Sequence, residues 1–94
     1  MLKPIKKREL IESLEYRQVF FSARPAHHKH SIDGLSKLVT EQSGQRPDTG
    51  AAYIFTVKGN QNVKILLPDE GMNSVMEIQG ERAREIIRTC MAAG

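Results

Sequence analysis

Two segments of the chain carry apolar residues at helical spacing. The first contains Ile32, Leu35, Leu38 and Val39, and the second contains Ala83, Ile86, Ile87, Cys90 and Met91. Spacings of three and four residues place such side chains on one face of a helix. With Ser31 as N-cap and Gly44 as C-cap, the first segment predicts a helix over residues 32–43. The second segment predicts a C-terminal helix over residues 81–91.

A weaker helical pattern lies near the N-terminus. Leu10, Ile11 and Leu14 share one helical face, and Pro4 suits the first turn of a helix. We therefore predict a short helix over residues 4–14, which must dock onto other elements because isolated helices of this length are marginal.

Four further segments have the patterns of β-strands. The predicted strands cover residues 18–23, 51–58, 63–67 and 74–79. The first is a continuous apolar run around Phe20 and Phe21, which is typical of a buried strand. The second and third are separated by Gly59-Asn60-Gln61-Asn62, and this arrangement is the strongest hairpin signal in the chain.

The order of these elements predicts an α+β fold. We expect a small antiparallel sheet of three to four strands, with the central helix and the C-terminal helix packed on one side of it. A length of 94 residues fits a single domain over residues 1–94. Within it we expect a basic, helical N-terminal extension (1–16), a strand–helix–hairpin–strand core (17–79) and a C-terminal helix (80–94).

The composition narrows the class of protein. Hydrophobic residues make up 39% and charged residues 27% of the chain, as in globular rather than disordered proteins. No apolar run approaches the roughly 20 residues that cross a bilayer. The basic N-terminus is not followed by the apolar core of a signal peptide. We therefore expect a cytoplasmic protein of bacterial type with no membrane partner.

The sequence offers little for catalysis. No Ser/His/Asp order, glycine-rich phosphate loop or carboxylate pair at hydrolase-like spacing stands out. Asp33, Asp48 and Asp69 fall in different elements, so their spacing does not indicate a nuclease site. Cys90 lies on the apolar stripe of the last helix and is predicted to be a small core residue. We expect no catalytic residues and no cofactor, that is, a protein that is not an enzyme.

Three histidines precede the central helix. His27, His28 and His30 are close enough in sequence to suggest a Zn, Ni or Cu site, since neutral histidine binds these metals well. However, three ligands from one short loop rarely make a closed site, and no HExxH or CxxC pattern accompanies them. Our predicted site contains no metal. The sequence leaves open whether the histidines bind one or form a solvated polar loop.

The same loop suits the binding of phosphate. Basic residues lie just before a helix start, where free N–H groups and partial positive charge attract anions. Other lysines follow on the helix and flank the hairpin bend. We predict that DNA phosphates are contacted by Arg24, Lys29, Lys37, Lys58 and Lys64. The alternative is that Ser31 caps its own helix and the basic side chains are only solvated. A net charge of +3 is weak evidence for either.

Tyr53 and Phe55 are two residues apart and share one face of their strand. If exposed, they would form a stacking platform for single-stranded bases. If covered by a helix, they belong to the core. We predict the core, because the chain has only two tyrosines, three phenylalanines and no tryptophan with which to build one.

The middle of the chain combines short motifs in a recognisable order. They are Arg24-Pro25, Lys29-His30-Ser31-Ile32-Asp33-Gly34-Leu35, Arg46-Pro47 through Gly50, Tyr53-Ile54-Phe55 and Val63-Lys64-Ile65-Leu66-Leu67. In their order and spacing, residues 18–71 resemble the small TnpB-type accessory protein encoded by the insertion-sequence sixty-six family of bacterial transposons. Residues 73–94 depart from that family's pattern, since they contain no aromatic residue. The resemblance implies a role in transposition beside a separate transposase.

Two functions are therefore carried forward. The first is a non-catalytic accessory protein of DNA transposition that binds the DNA backbone or the transposase complex. The second is a protein-interaction module with no nucleic-acid role. Such a module would pair as a homodimer through a strand edge or an amphipathic helix.

Overall fold

The structure is a computed structural model that describes residues 1–6, 10–59 and 61–92. Its elements are β1 (Leu2–Ile5), a 3-10 turn (Glu12–Leu14), β2 (Gln18–Ser22), α1 (Ile32–Ser43), β3 (Ala51–Thr56), β4 (Val63–Leu67), β5 (Ser74–Ile78) and α2 (Gly80–Ala92). The α+β class is confirmed. The two main helices and the four expected strands are also confirmed, with ends that differ from the prediction by at most two residues.

In the described part of the chain, the strands form one sheet of five in the order β1-β2-β3-β4-β5. Every neighbouring pair is antiparallel except β2 and β3, which run parallel and are joined through α1. The prediction of an antiparallel sheet of three to four strands is therefore matched only in part, since there are five strands and one of the four pairs is parallel. A strand–helix–strand order is itself the usual way to make a parallel pair, because the helix carries the chain back across the sheet.

The predicted helix over residues 4–14 is not formed. Leu2–Ile5 is instead an edge strand, in which Pro4 pairs with Phe20 and Ile5 with Val19. Proline is tolerated at an edge because a missing N–H there removes no essential ladder bond. Leu10 and Leu14, whose spacing suggested a helix, are instead buried at either end of a segment that contains the 3-10 turn. Residues 7–9, which the prediction also covered, lie outside the described part.

The helices pack on opposite faces of the sheet, which corrects the prediction that both pack on one side. Leu35, Leu38 and Val39 of α1 lie in one hydrophobic cluster with Tyr53 and Phe55. Ala83, Ile86 and Cys90 of α2 lie in another cluster with the other face of the sheet and with the N-terminal segment. The second cluster contains Ile5, Leu10, Leu14, Val19, Phe21, Ala52, Ile54, Val63, Ile65, Ala83, Ile86 and Cys90.

β3 is the centre of the molecule. Its first five residues are all buried, with Ala51, Tyr53 and Phe55 on the α1 face and Ala52 and Ile54 on the α2 face. A continuous apolar strand is expected where both faces of a sheet are covered. The core assignment of the two aromatic residues is therefore confirmed, and they cannot act as a stacking platform.

The ends of α1 are set by two local features. Gly44 takes the left-handed conformation (φ 75°) and its N–H donates to the Thr40 carbonyl, which ends the helix as predicted. At the other end Ser31 occupies the N-cap position but its side chain makes no capping hydrogen bond. The first turn contains a glycine, Gly34, because the His30 ring leaves no room for a side chain. A Cβ added at Gly34 would lie 2.7 Å from His30 Cδ2.

Cys90 is fully buried against the sheet, which confirms its prediction as a core residue. Burial raises the pKa of its thiol to about 11, and the nearby Lys3 ammonium only partly offsets this rise. Because the folded pKa lies above the unfolded one, the contribution of Cys90 to stability is full below the unfolded pKa. It is lost as the pH rises through the folded value.

We expect native Cys90 to be unreactive toward a soluble thiol reagent at about pH 8, because the thiol is both inaccessible and protonated. Full modification is expected once the protein is unfolded in urea. Thiol titration under the two conditions measures the difference. Rapid stoichiometric modification of the native protein would contradict the buried position.

Within the described residues, no helix has both the length and the apolar character needed to span a bilayer.

Candidate nucleic-acid interface

Two segments meet at one end of the sheet. We call residues 24–31 the histidine loop and residues 57–62, of which Asn60 lies outside the described part, the hairpin bend. The Ala26 N–H donates to the Thr56 carbonyl at 2.7 Å, and the Lys58 N–H donates to the Ala26 carbonyl at 2.7 Å. Ala26 and Val57 thus form a parallel bridge. Because β2 and β3 run parallel, the histidine loop that follows β2 and the hairpin bend that follows β3 lie at the same end of the sheet.

Lys64 lies beneath this junction and not on its surface. It points to the α1 side of β4 and is only 7% exposed. Its Nζ donates to the carbonyls of His28 and His30, both at 2.8 Å. The prediction that Lys64 contacts phosphate therefore does not fit its position, because the buried ammonium is already engaged with two backbone oxygens. Its structural effect is to hold the histidine loop against the sheet.

The other predicted basic residues are exposed, with differing surroundings. Lys29 is on the histidine loop, Lys58 is in the hairpin bend and Lys37 is on the outer side of α1. Among the described residues, none of these three ammonium groups has a carboxylate within ion-pair distance. Arg24 is paired with Glu41 at 2.9 Å, with both side chains largely exposed. Exposed pairs of this kind contribute little, so Arg24 can exchange its partner.

The histidine rings make hydrogen bonds within their own loop. His30 Nδ1 accepts the His27 N–H at 2.7 Å, and His27 Nδ1 accepts the Lys29 N–H at 3.3 Å. The His27 and His28 rings lie 4.3 Å apart between centroids. In the part of the chain that the structure describes, no group of three or more His, Cys, Asp or Glu is placed to hold a metal ion. Two of the ring nitrogens instead fold the loop that presents Lys29.

The start of α1 opens onto the same loop. Since Ser31 makes no side-chain bond to the first turn, the alternative in which it caps its own helix is not what the structure shows. The Leu35 N–H donates to the Ser31 carbonyl, which is the first bond of the helix. The N–H groups before it have no helical acceptor and carry the partial positive charge of a helix start. Asp33, exposed in this first turn, is the acidic residue that moderates that charge.

The three aspartates considered for a nuclease site do not converge. Asp69 lies at the opposite end of the sheet, where both its carboxylate oxygens accept from Arg17 at 3.0 and 3.1 Å. Arg17 also donates to the carbonyls of Ala51 and Pro68, which ties the start of β3 to the end of β4. Asp33 lies beside the histidine loop. Asp48 lies at the same end as Asp69, since its carbonyl accepts the Ala51 N–H at 3.2 Å, so Asp33 is separated from the other two and the three do not form one cluster.

A basic feature that sequence reasoning missed lies on α2. Arg84 donates to Gln61 Oε1 of the hairpin bend at 2.7 Å and to Glu81 Oε1 at 3.3 Å. Arg88 follows one turn later on the same helix and is exposed. The four-residue spacing of these arginines was visible in the sequence. Their closeness to the bend was not, because it depends on how α2 crosses the sheet.

These features define a small three-layer α+β domain in which the exposed Lys29, Lys58 and Arg84 lie around one end of the sheet. Comparison with known families agrees with the resemblance seen in the motifs. Residues 17–77, more than half of the chain, match a family model described as IS66 Orf2 like protein. The chain therefore belongs to the IS66 Orf2-like family, which implies a transposition-associated accessory role. No curated protein and no solved structure matches the chain.

Proposed function

We propose that this protein is a non-catalytic accessory factor of DNA transposition that contacts the DNA phosphate backbone, or the transposase complex, through the basic end of its sheet. The observation that carries the proposal is the bridge between Ala26 and Val57. It brings Lys29 of the histidine loop and Lys58 of the hairpin bend to one end of the sheet. Neither ammonium has an ion-pair partner in the described chain.

Contact with the DNA phosphate backbone suits this surface better than recognition of the DNA bases does. The exposed cations are lysines on a loop and a bend, and phosphate contacts of this type fix position without selecting a sequence. The uncapped start of α1 adds N–H donors beside them. Arg24 and Lys37 extend the surface along α1, and the buried Lys64 supports it from below.

Removing both central lysines should weaken binding in a salt-dependent way. We expect the double variant Lys29→Gln/Lys58→Gln to bind a duplex oligonucleotide more weakly than the wild type at low salt. The slope of log K against log salt should fall by about 2, because each lost phosphate contact removes about 0.9. Fluorescence anisotropy over a series of salt concentrations measures both quantities.

The matched control is Lys6→Gln/Arg46→Gln, which removes the same charge from exposed residues at the opposite end of the sheet. These side chains have no ion pair among the described residues. Equal losses in the two double variants would show that only net charge matters. Absence of any duplex binding by the wild type at low salt would refute the DNA part of the proposal.

A homodimeric interaction module remains a second candidate because of one observation. β5 is the outer strand of the sheet, and Val75, Met76 and Ile78 are only half-buried along it. At the other edge Pro4 weakens β1 as a pairing surface. Light scattering with and without DNA separates the candidates. A concentration-dependent dimer that does not bind DNA favours the interaction module. A monomer that forms a complex with DNA favours the accessory factor.

A further inference from the structure

A groove lies on the α2 side of the hairpin bend. It has a volume of about 280 Å³ and is lined by Gln61, Arg84, Ile87 and Arg88. Among the residues that the structure describes, the lining contains two arginines and no carboxylate. Ile87 gives the groove an apolar surface, since it is half-buried and packs against the core beneath α2.

The two arginines differ in whether their guanidinium groups already have partners. Arg84 is oriented by Gln61 on one side and by Glu81 on the other, so part of its charge is already compensated. Arg88 is exposed, and within the described ranges its guanidinium has neither an ion pair nor a hydrogen bond. The neighbouring Glu85 is paired with Arg82 instead. Arg88 is therefore the cation of the groove that is available to a partner.

The groove and the basic end of the sheet both adjoin the hairpin bend. On one side of the bend, Lys58 bonds through its backbone to Ala26 of the histidine loop. On the other side, Gln61 bonds to Arg84 of α2. The lysines at the basic end and the arginines of the groove therefore lie on two sides of the same bend.

We propose that this groove receives one nucleotide of single-stranded DNA, an inference that rests on the proposed function. Arg88 pairs with the phosphate, and the base or sugar lies on Ile87 against the guanidinium plane of Arg84. Unstacked bases pack on arginine planes and apolar side chains in this way, whereas the bases of an intact duplex are stacked and unavailable. The volume is below the range of about 300–1,000 Å³ typical of small-molecule pockets, which fits a single unit of a longer chain.

The assignment predicts a preference for single strands that depends on Arg88. The probes are a labelled oligothymidine of about 12 nucleotides and a duplex of the same length. We expect the wild type to bind the single strand more tightly. Arg88→Gln should weaken that binding by about tenfold, the effect of losing one hydrogen bond to a charged group. The salt slope for the single strand should fall by about 0.7.

Arg46→Gln is the matched control, because it removes one exposed arginine distant from the groove. If Arg88→Gln and Arg46→Gln behave alike while Lys29→Gln/Lys58→Gln weakens duplex binding, the groove assignment is wrong and the proposed function stands. If Arg88→Gln weakens duplex and single strand equally, the groove is a backbone contact and the single-strand assignment is overturned.

An acidic protein segment is the competing occupant of the groove. A synthetic peptide of alternating glutamate and leucine serves as the probe for it. If this peptide binds and Arg88→Gln abolishes its binding, while neither DNA probe binds at low salt, the nucleotide assignment and the proposed DNA contact both fail. Single-strand binding that Arg88→Gln weakens, with no binding of the peptide, supports the nucleotide.

Discussion

Replacing Lys64 by methionine is expected to lower the free energy of unfolding by about 2–4 kcal/mol, because two partly buried hydrogen bonds from one ammonium group are lost. Methionine retains most of the apolar length of the side chain, so the effect isolates the ammonium group. The carbonyls belong to His28 and His30, and their release should free the histidine loop from the sheet. Urea denaturation followed by circular dichroism measures the loss.

The matched control is Lys58→Met, the same substitution at an exposed position two residues after the end of β3. Its unfolding free energy should stay within about 0.5 kcal/mol of the wild type. The comparison also separates the two roles that a lysine beside the hairpin bend can take. If Lys64→Met left stability unchanged but weakened DNA binding as strongly as a Lys58 variant, Lys64 would be a surface contact and its buried position would be wrong.

Replacing Leu14 by alanine is expected to cost about 2–5 kcal/mol. The Leu14 side chain is fully buried in the cluster beneath α2, and alanine leaves a cavity that the surroundings fill only in part. Thermal and urea unfolding measure the change. The expected loss is a large part of the stability of a domain of this size.

Tyr16→Ala provides the control for Leu14→Ala, since Tyr16 lies two residues further on and is 91% exposed. Its substitution should change stability by no more than about 0.5 kcal/mol. Equal and small effects at both positions would show that the N-terminal segment is an extension beside the domain. The expected contrast would show instead that it is part of the core.

The local elements of the fold could be predicted from the sequence. The spacing of Leu35, Leu38 and Val39 gave α1 its correct bounds, and Gly44 ended it where a left-handed residue was needed. The hairpin of β3 and β4 followed from turn residues between two apolar runs. These features depend on contacts between residues close in sequence, and such contacts leave periodic patterns.

The arrangement of the elements was harder to predict because it depends on distant contacts. The buried run from Ala51 to Phe55 indicated a strand covered on both faces, and this signal argued against placing both helices on one side. The strand β1 was missed because Leu10, Ile11 and Leu14 suggested a helix, while the partner of Ile5 lies on β2. No local pattern records that pairing.

The candidate interface, like the fold, could be predicted only in part. Basic residues near the helix start and the hairpin bend were visible, but their environments were not. Lys64 was placed on the surface because it follows the bend, although a lysine within an apolar strand next to a central strand is a candidate for burial. The pairing of Arg24 with Glu41 and of Arg84 with Gln61 joins separate elements.

Lys3 Nζ donates to the Cys90 carbonyl at 3.1 Å, a bond that joins residues 87 positions apart. The cluster around it likewise runs from Ile5 to Cys90. During synthesis, therefore, the α2 face of the sheet cannot close until Cys90 has emerged from the ribosome. Until then Ile5, Leu10 and Leu14 have no helix to cover them, and exposed apolar residues of this kind make a nascent chain prone to association.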